Sequence, residues 1–219
     1  MVRQGRAEQT RRTLIQAAAG EFDRHGYSGA ALSRISKAAG VTLGALTFHF
    51  PTKNDLADAV GMSGASETRI ALRRGTGTAT APPLAQVVEL TRTLARLLAC
   101  DVCVRAAARL SRDCADATLV PWQRSWLPIL RDLLDRARAE RPGEFDHEGL
   151  ELLVLYVVSG VEAAARAGHP EAVVLEQLRR VWTLAAAGIP GVLSATQGNR
   201  PETPGDAPPH EDRHGPREQ

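Results

Sequence analysis

Residues 32–53 read LSRISKAAGVTLGALTFHFPTK, and this stretch decides the fold. It predicts a short helix, a tight turn at Gly40 and Val41, and a second short helix closed by Lys53. Ser36 is small enough to let the two helices approach, Gly40 makes the turn, and Leu46 packs beneath the second helix. Two helices joined in this way can lay the second one in a DNA major groove. Thr42 stands where an N-cap for that second helix is needed. Thr52 with Asp55 three residues on resembles a capping box for the helix that follows.

Outward from this unit the chain predicts helix nearly everywhere, and the fold class expected is all-α. Residues 6–25 carry Leu14, Ile15, Ala18 and Phe22 at helical spacing, and Gly26 ends that segment. No side chain suited to capping stands just before the second helix; Ala30 and Ala31 occupy the place, with Ser28 the nearest candidate. Further helices are expected over 53–73, 84–100, 102–113, 121–140, 145–167 and 171–187. The run LELLVLYVVS at 150–159 reads as a strand in isolation, but it lies inside a longer apolar-periodic segment and is taken as buried helix. The last two helices are apolar on more than one side, which calls for burial against a second copy of the chain.

Three regions follow: a DNA-binding part over 1–53, a helical ligand-binding and dimerisation part over 54–197, and a tail over 198–219. The tail is rich in Pro, charge and His, without aliphatic residues, and is expected to be disordered. Residues 75–83, GTGTATAPP, form a Gly/Thr/Pro linker.

Charge supports this division. The net charge of the 219 residues is only +2, yet residues 1–53 hold eight basic and three acidic side chains. That part is therefore +5 and the remainder −3, the asymmetry expected of a nucleic-acid module joined to something else. No signal-like apolar run opens the chain and none is long enough to span a membrane, so a cytoplasmic protein without a membrane partner is expected. Three cysteines, an odd number, suit a reducing compartment. Cys100, Cys103 and Cys114 lie in apolar helical stretches and are expected to be buried free thiols; no second CxxC or nearby His completes a metal site. No metal, cofactor or catalytic residue is therefore expected.

Candidate DNA contacts come from residue chemistry. Thr42 and Thr47 offer a hydroxyl to phosphate or base and a methyl to thymine. Gly44 lets the helix backbone approach the groove floor, and Phe48 can lie against sugar or a base edge. Phe50 is expected to point into the core. His49 and Lys53 are placed to hold phosphates, with Ser33, Arg34, Arg3 and Arg6 as further backbone contacts. Leu43 reads no hydrogen-bond pattern but can meet a thymine methyl. One such module neutralises few phosphates and binds weakly; two copies on a pseudo-palindromic double-stranded operator correct that.

The segment also resembles the TetR family of bacterial repressors, whose N-terminal domains carry GVxxGxLYxHFxxK. Here Gly40, Val41, Gly44, Leu46, His49, Phe50 and Lys53 match, and Thr47 replaces the usual Tyr. RQGRAEQTRRTLIQAAAGEFDRHGY and GALTFHF resemble the γ-butyrolactone receptor subgroup more narrowly. CVRAAARLS, Trp126 ahead of LLDRA, and YVVSGVE extend that resemblance. It implies a homodimeric repressor of antibiotic production that leaves DNA on binding a diffusible small molecule. By the same resemblance His49 and Lys53 match phosphate contacts, and Trp126 stands near where relatives hold a Trp over the lactone. Val161 follows Gly160, where receptors often have a polar residue. With Thr47, this points to the pseudo-receptor branch, which answers to antibiotics or pathway intermediates.

Trp122 and Trp126, four residues apart, are expected on one helical face. They either pack in a core or line an effector pocket whose polar anchors are Gln123, Thr91 and Ser159. Two rival functions remain. One is a small helical enzyme, for which no nucleophile elbow, phosphate loop or metal dyad is present. The other is a dimeric DNA-binding protein without a ligand.

Overall fold

A computed structural model describes residues 2–75, 81–113 and 121–186, with side chains from residue 5 onward. The central residues of the expected linker, Cys114, the Arg3 side chain and the tail over 198–219 lie outside the described residues. Among the described residues there are nine α-helices, one short 3-10 turn and no strand.

The N-terminal head is built from α1 (Val2–Gly29), α2 (Leu32–Ala38) and α3 (Leu43–His49). Leu14, Ile15, Ala18, Ala19 and Phe22 of α1 meet Ile35, Leu46 and Phe50 in one core. Gly26 breaks the regular helix, as its place in the sequence predicts, with φ 68°, but helical turns resume on the far side as far as Gly29. The turn between α2 and α3 is closed by backbone bonds from Gly40 N to the Lys37 carbonyl (3.1 Å) and from Val41 N to the Ser36 carbonyl (3.0 Å). Gly40 is needed there for its φ of 68°, since open space surrounds the position of a Cβ.

The long α4 (Lys53–Gly75) starts on the expected capping box: Asp55 N donates to Thr52 Oγ1 (3.1 Å), and Thr52 N donates to Asp55 Oδ2 (2.9 Å). Leu56, Ala57, Ala59 and Val60 join the head core, while Leu72 joins a second, larger core. The helix α6 (Val102–Asp113) divides in the same way. Its Cys103, Ala106 and Leu110 face the head, and Val104, Ala107 and Ala108 face the body. Two helices thus run through both cores.

The body comprises α5 (Pro83–Cys100), α7 (Leu127–Glu140), α8 (His147–Arg166) and α9 (Glu171–Ala186). Its centre is filled by Trp122, Trp126 and Trp182 with Leu90, Leu94 and Leu98. The expected helix over 121–140 is not continuous. Trp122–Ser125 is a 3-10 turn, and α7 begins only at Leu127. Pro128 explains this, because inside a longer helix its ring would strike the carbonyl four residues back, whereas in the first turn it is tolerated. The two tryptophans therefore do not share a helical face. They converge from a turn and a helix start, ring centroids 5.9 Å apart at 59°.

The cysteine expectation needs one correction. Cys103 is buried, but Cys100 is exposed at the end of α5, its Sγ 3.3 Å from a Glu171 carboxylate oxygen. That carboxylate pushes the Cys100 thiol pKa up. Among the described residues, no group of three His, Cys, Asp or Glu side chains could hold a metal, and no helix is long and apolar enough to cross a membrane.

Candidate nucleic-acid interface and effector region

The last helix of the head, α3, is anchored from below and open above. Leu46 is fully buried and Phe50 nearly so, with Arg11 stacked over the Phe50 ring at 5.1 Å. Thr42 caps α3, accepting from Ala45 N at 3.1 Å, as its place in the sequence predicts. The opposite face presents Thr42, Leu43, Gly44, Thr47 and Phe48 to solvent. Phe48 is 83% exposed and so is no part of the core. With Leu43, 48% exposed, it gives the capped helix an outward apolar surface. His49 is half-buried, its ring edge-on to Phe48.

The expected phosphate contacts sort differently. Arg6 and Ser33 are exposed. Lys53 is half-buried, its ammonium 4.7 Å from the Tyr27 ring centroid and 3.4 Å from the Ser28 carbonyl, which fixes it beside the start of α4. Arg34 is exposed but engaged at the surface of the head. Its Nε donates to Glu21 Oε1 at 2.5 Å, and its second nitrogen donates to the Gly29 carbonyl at 2.6 Å. Glu21 is buried and also accepts from Ala31 N at 3.3 Å. This acid, on α1, satisfies the amide of the N-cap residue, the part an acid at N3 plays in a capping box; Ser28 does not cap α2, whose N-cap is Ala31. Arg34 is thus committed to holding α2 on α1 more than to reaching outward.

In the body, six residues are candidates for an effector site. Trp122 donates its indole N–H to Thr68 Oγ1 at 2.9 Å. Thr91 accepts from the Trp182 indole at 2.8 Å and donates to the Val88 carbonyl at 2.7 Å, so its hydroxyl is spent. Ser159 is a correction: it sits on the exposed side of α8 and donates to the Leu155 carbonyl, away from the tryptophans. Val161 is buried and belongs to the body core. Trp126 and Gln123 differ from the rest. The Trp126 indole nitrogen and the Gln123 side-chain oxygen are both buried without a hydrogen-bond partner. A buried indole N–H left unpaired costs about 1–3 kcal/mol and calls for an explanation.

A polar chain ties this body to the head. Arg105 pairs with Asp23 of α1 at 2.9 Å, and Arg109 donates to the Asp23 carbonyl at 2.6 Å. Tyr27 N donates to Asp113 Oδ2 at 3.2 Å, across the kink at Gly26. A Cβ on Gly26 would stand 2.4 Å from that same oxygen, so the glycine serves close approach as well as its φ. Arg112 pairs with the buried Glu162 of α8. Burial pushes the Glu162 carboxyl up in pKa, and Arg112 and Arg166 oppose that.

On the far side of the body, α8 and α9 expose Leu152, Tyr156, Val173, Val181 and Leu184. Tyr156 is 75% exposed and Leu184 78%. A shallow apolar groove of about 380 Å³ runs between the two helices, past Gly160, Val161 and Ala164.

Residues 14–60 match the family model of bacterial regulatory proteins of the tetR family. Most of the chain is similar to the A-factor receptor protein of Streptomyces griseus, 29% identical over 202 residues, spanning 89% of this chain and 69% of that protein. The fold is similar to the crystal structure of a gamma-butyrolactone receptor (ArpA like protein), with TM-score 0.71, 30% identity, and 87% of this chain against 96% of that one. It is also similar to CprB from Streptomyces coelicolor in complex with its biological operator sequence, with TM-score 0.63 and 30% identity over 83% of this chain and 89% of that one.

Proposed function

Since the chain belongs to the TetR family of bacterial regulatory proteins, we propose that it is a homodimeric transcriptional repressor that leaves its operator when a small molecule binds. The effector is of the γ-butyrolactone type or an antibiotic, and the regulated genes serve antibiotic or secondary-metabolite production. Residues 1–53 are the DNA-binding part, and 54–197 carry effector binding and dimerisation. The protein acts in the cytoplasm, and no catalytic step is proposed.

The observation that carries the DNA half of this reading is α3, rigidly capped and anchored yet exposing Leu43, Gly44, Thr47 and Phe48. In this role Thr42, Leu43, Gly44, Thr47 and Phe48 face the groove, while His49, Lys53, Ser33, Arg6 and Arg3 approach phosphates. Arg34 supports α2 through Glu21. The effector half rests on Trp126 and Gln123, whose unpaired buried atoms suit a ligand with a carbonyl acceptor and a hydroxyl donor. Thr91, Trp122 and Val161 contribute walls, and Ser159 lies outside the site.

Ligand binding shifts DNA affinity only through different affinities for two conformations. The route available is physical: Glu162 of α8 holds Arg112 of α6, and the same helix holds Asp23 and Tyr27 of α1. Moving α6 therefore moves the head and changes the spacing of the two reading helices in the dimer.

The test is binding of purified protein to its own upstream DNA, with salt titration, with and without culture extract. Expected is tight binding whose log affinity falls linearly with log salt, and release by extract. Tight binding that extract leaves unchanged would favour a regulator without this signal.

The apolar face of α8 and α9 is the proposed dimer interface. Leu152→Glu with Tyr156→Glu buries two unpaired charges there, expected to weaken the dimer by about 3 kcal/mol or more, on the order of a hundredfold. Sedimentation should show a folded monomer, and operator affinity should fall with it. A stable dimer would place the interface elsewhere.

A further inference from the structure

The sequence of α3 is LGALTFH, so no guanidinium, ammonium or side-chain amide stands on the helix that would enter the groove. Reading guanine with Arg or Lys, or adenine with Asn or Gln, needs those groups. Each of the two threonine hydroxyls spends part of its hydrogen-bonding capacity on the helix itself. Thr42 Oγ1 accepts from Ala45 N at 3.1 Å, and Thr47 Oγ1 donates to the Gly44 carbonyl at 3.1 Å. His49 is half-buried beside Phe48.

What the helix does offer is apolar. Leu43 is 48% exposed and Phe48 83%, and Thr47 adds an exposed methyl-bearing side chain between them. Gly44 leaves the backbone uncovered among these three, with only Thr42 Oγ1, at 4.0 Å, near the position of a Cβ. The one apolar group on a base edge in the major groove is the 5-methyl of thymine. We infer that α3 reads its operator half-site through thymine 5-methyl groups, with Leu43, Thr47 and Phe48 as the reading residues. This rests on the DNA-binding reading above and deepens it: the recognised chemistry is a pattern of methyls, and no guanidinium, ammonium or amide of α3 pairs with a purine.

The full-length protein is used to select its site from random duplexes. The selected site is then resynthesised with uracil in place of each half-site thymine in turn, which removes the methyl and nothing else. Affinity is expected to fall about fourfold per contacted methyl, the effect of exposing one methyl-sized apolar group. Leu43→Ala, at an exposed position that folding does not depend on, should bind the thymine site more weakly and lose discrimination at one of those positions. Uracil throughout the half-site without loss of affinity, or a selected half-site lacking thymine, would overturn the inference while leaving DNA binding intact. Failure to select any site would overturn both this inference and the reading beneath it.

Discussion

Replacing Trp122 by alanine is expected to destabilise the protein by about 3–5 kcal/mol, the range for truncating a large buried aromatic. Trp122 is 1% exposed, and its ring lies against Trp126. Its indole N–H bonds Thr68, whose hydroxyl in turn donates to the Gly64 carbonyl at 2.8 Å. Truncation therefore opens a cavity between α4, α6 and the start of α7, and strips Thr68 of its donor. Domains of this kind are stable by only about 5–15 kcal/mol, so the loss is a large share of the total. Trp122→Phe keeps most of the volume and should cost less than alanine, the residue being mainly the lost hydrogen bond. Denaturant unfolding at two protein concentrations, which separates folding from dimer dissociation, gives both values. A loss under about 1 kcal/mol for alanine, typical of a surface change, would mean that this ring does not hold the body core together.

The second large effect is expected at a glycine in the same region. A Cβ on Gly64 would stand 2.5 Å from the Cys103 carbonyl oxygen and 2.7 Å from the Ala107 Cβ. Neither the backbone of α6 nor a buried alanine can swing aside, so Gly64→Ala must push α4 off α6. The cost expected is about 1–3 kcal/mol, as for other overpacked cores. Gly61, one turn earlier in α4, has nothing within 4 Å of its Cβ position. There the helical preference of alanine acts alone, and Gly61→Ala should stabilise by about 0.5–1 kcal/mol. Opposite signs from one substitution at two glycines of one helix are read directly from thermal or denaturant unfolding. Because α4 and α6 both run through head and body, Gly64→Ala should also lower operator affinity more than its stability loss explains.

The head was legible in the sequence because its determinants are local. Gly40, Thr42, Leu46, Phe50 and the pair Thr52 and Asp55 act within a few residues of themselves, and each does in the structure what its spacing implies. Phe48 on α3 and Phe50, its C-cap, separate into outward and inward for the same reason. What local spacing does not reveal is long-range. Arg34 looks like a free cation until Glu21, on another helix, is seen to hold it. Thr91 looks like a free hydroxyl until Trp182, ninety-one residues on, is found against it. The spacing of four between Trp122 and Trp126 suggests one helical face, while Pro128 moves the helix start past them. Gly64 carries no signal in an alanine-rich helix; only the approach of α6 makes it necessary. The exposed side of Ser159 is set by which face of α8 meets the core, which periodicity alone left ambiguous in so apolar a segment.

The most direct measurement is a titration of the fluorescently labelled operator complex with synthetic γ-butyrolactones and candidate antibiotics, following DNA anisotropy and tryptophan emission together. Trp122, Trp126 and Trp182 all sit in the body core and none on α3, so emission reports the ligand and anisotropy reports the DNA. A single compound should quench emission and release DNA with the same midpoint, and Trp126→Phe should shift both together. Saturable quenching that leaves the operator bound would contradict ligand-controlled repression. So would DNA binding that no compound changes while Trp126→Phe remains without effect on any of them.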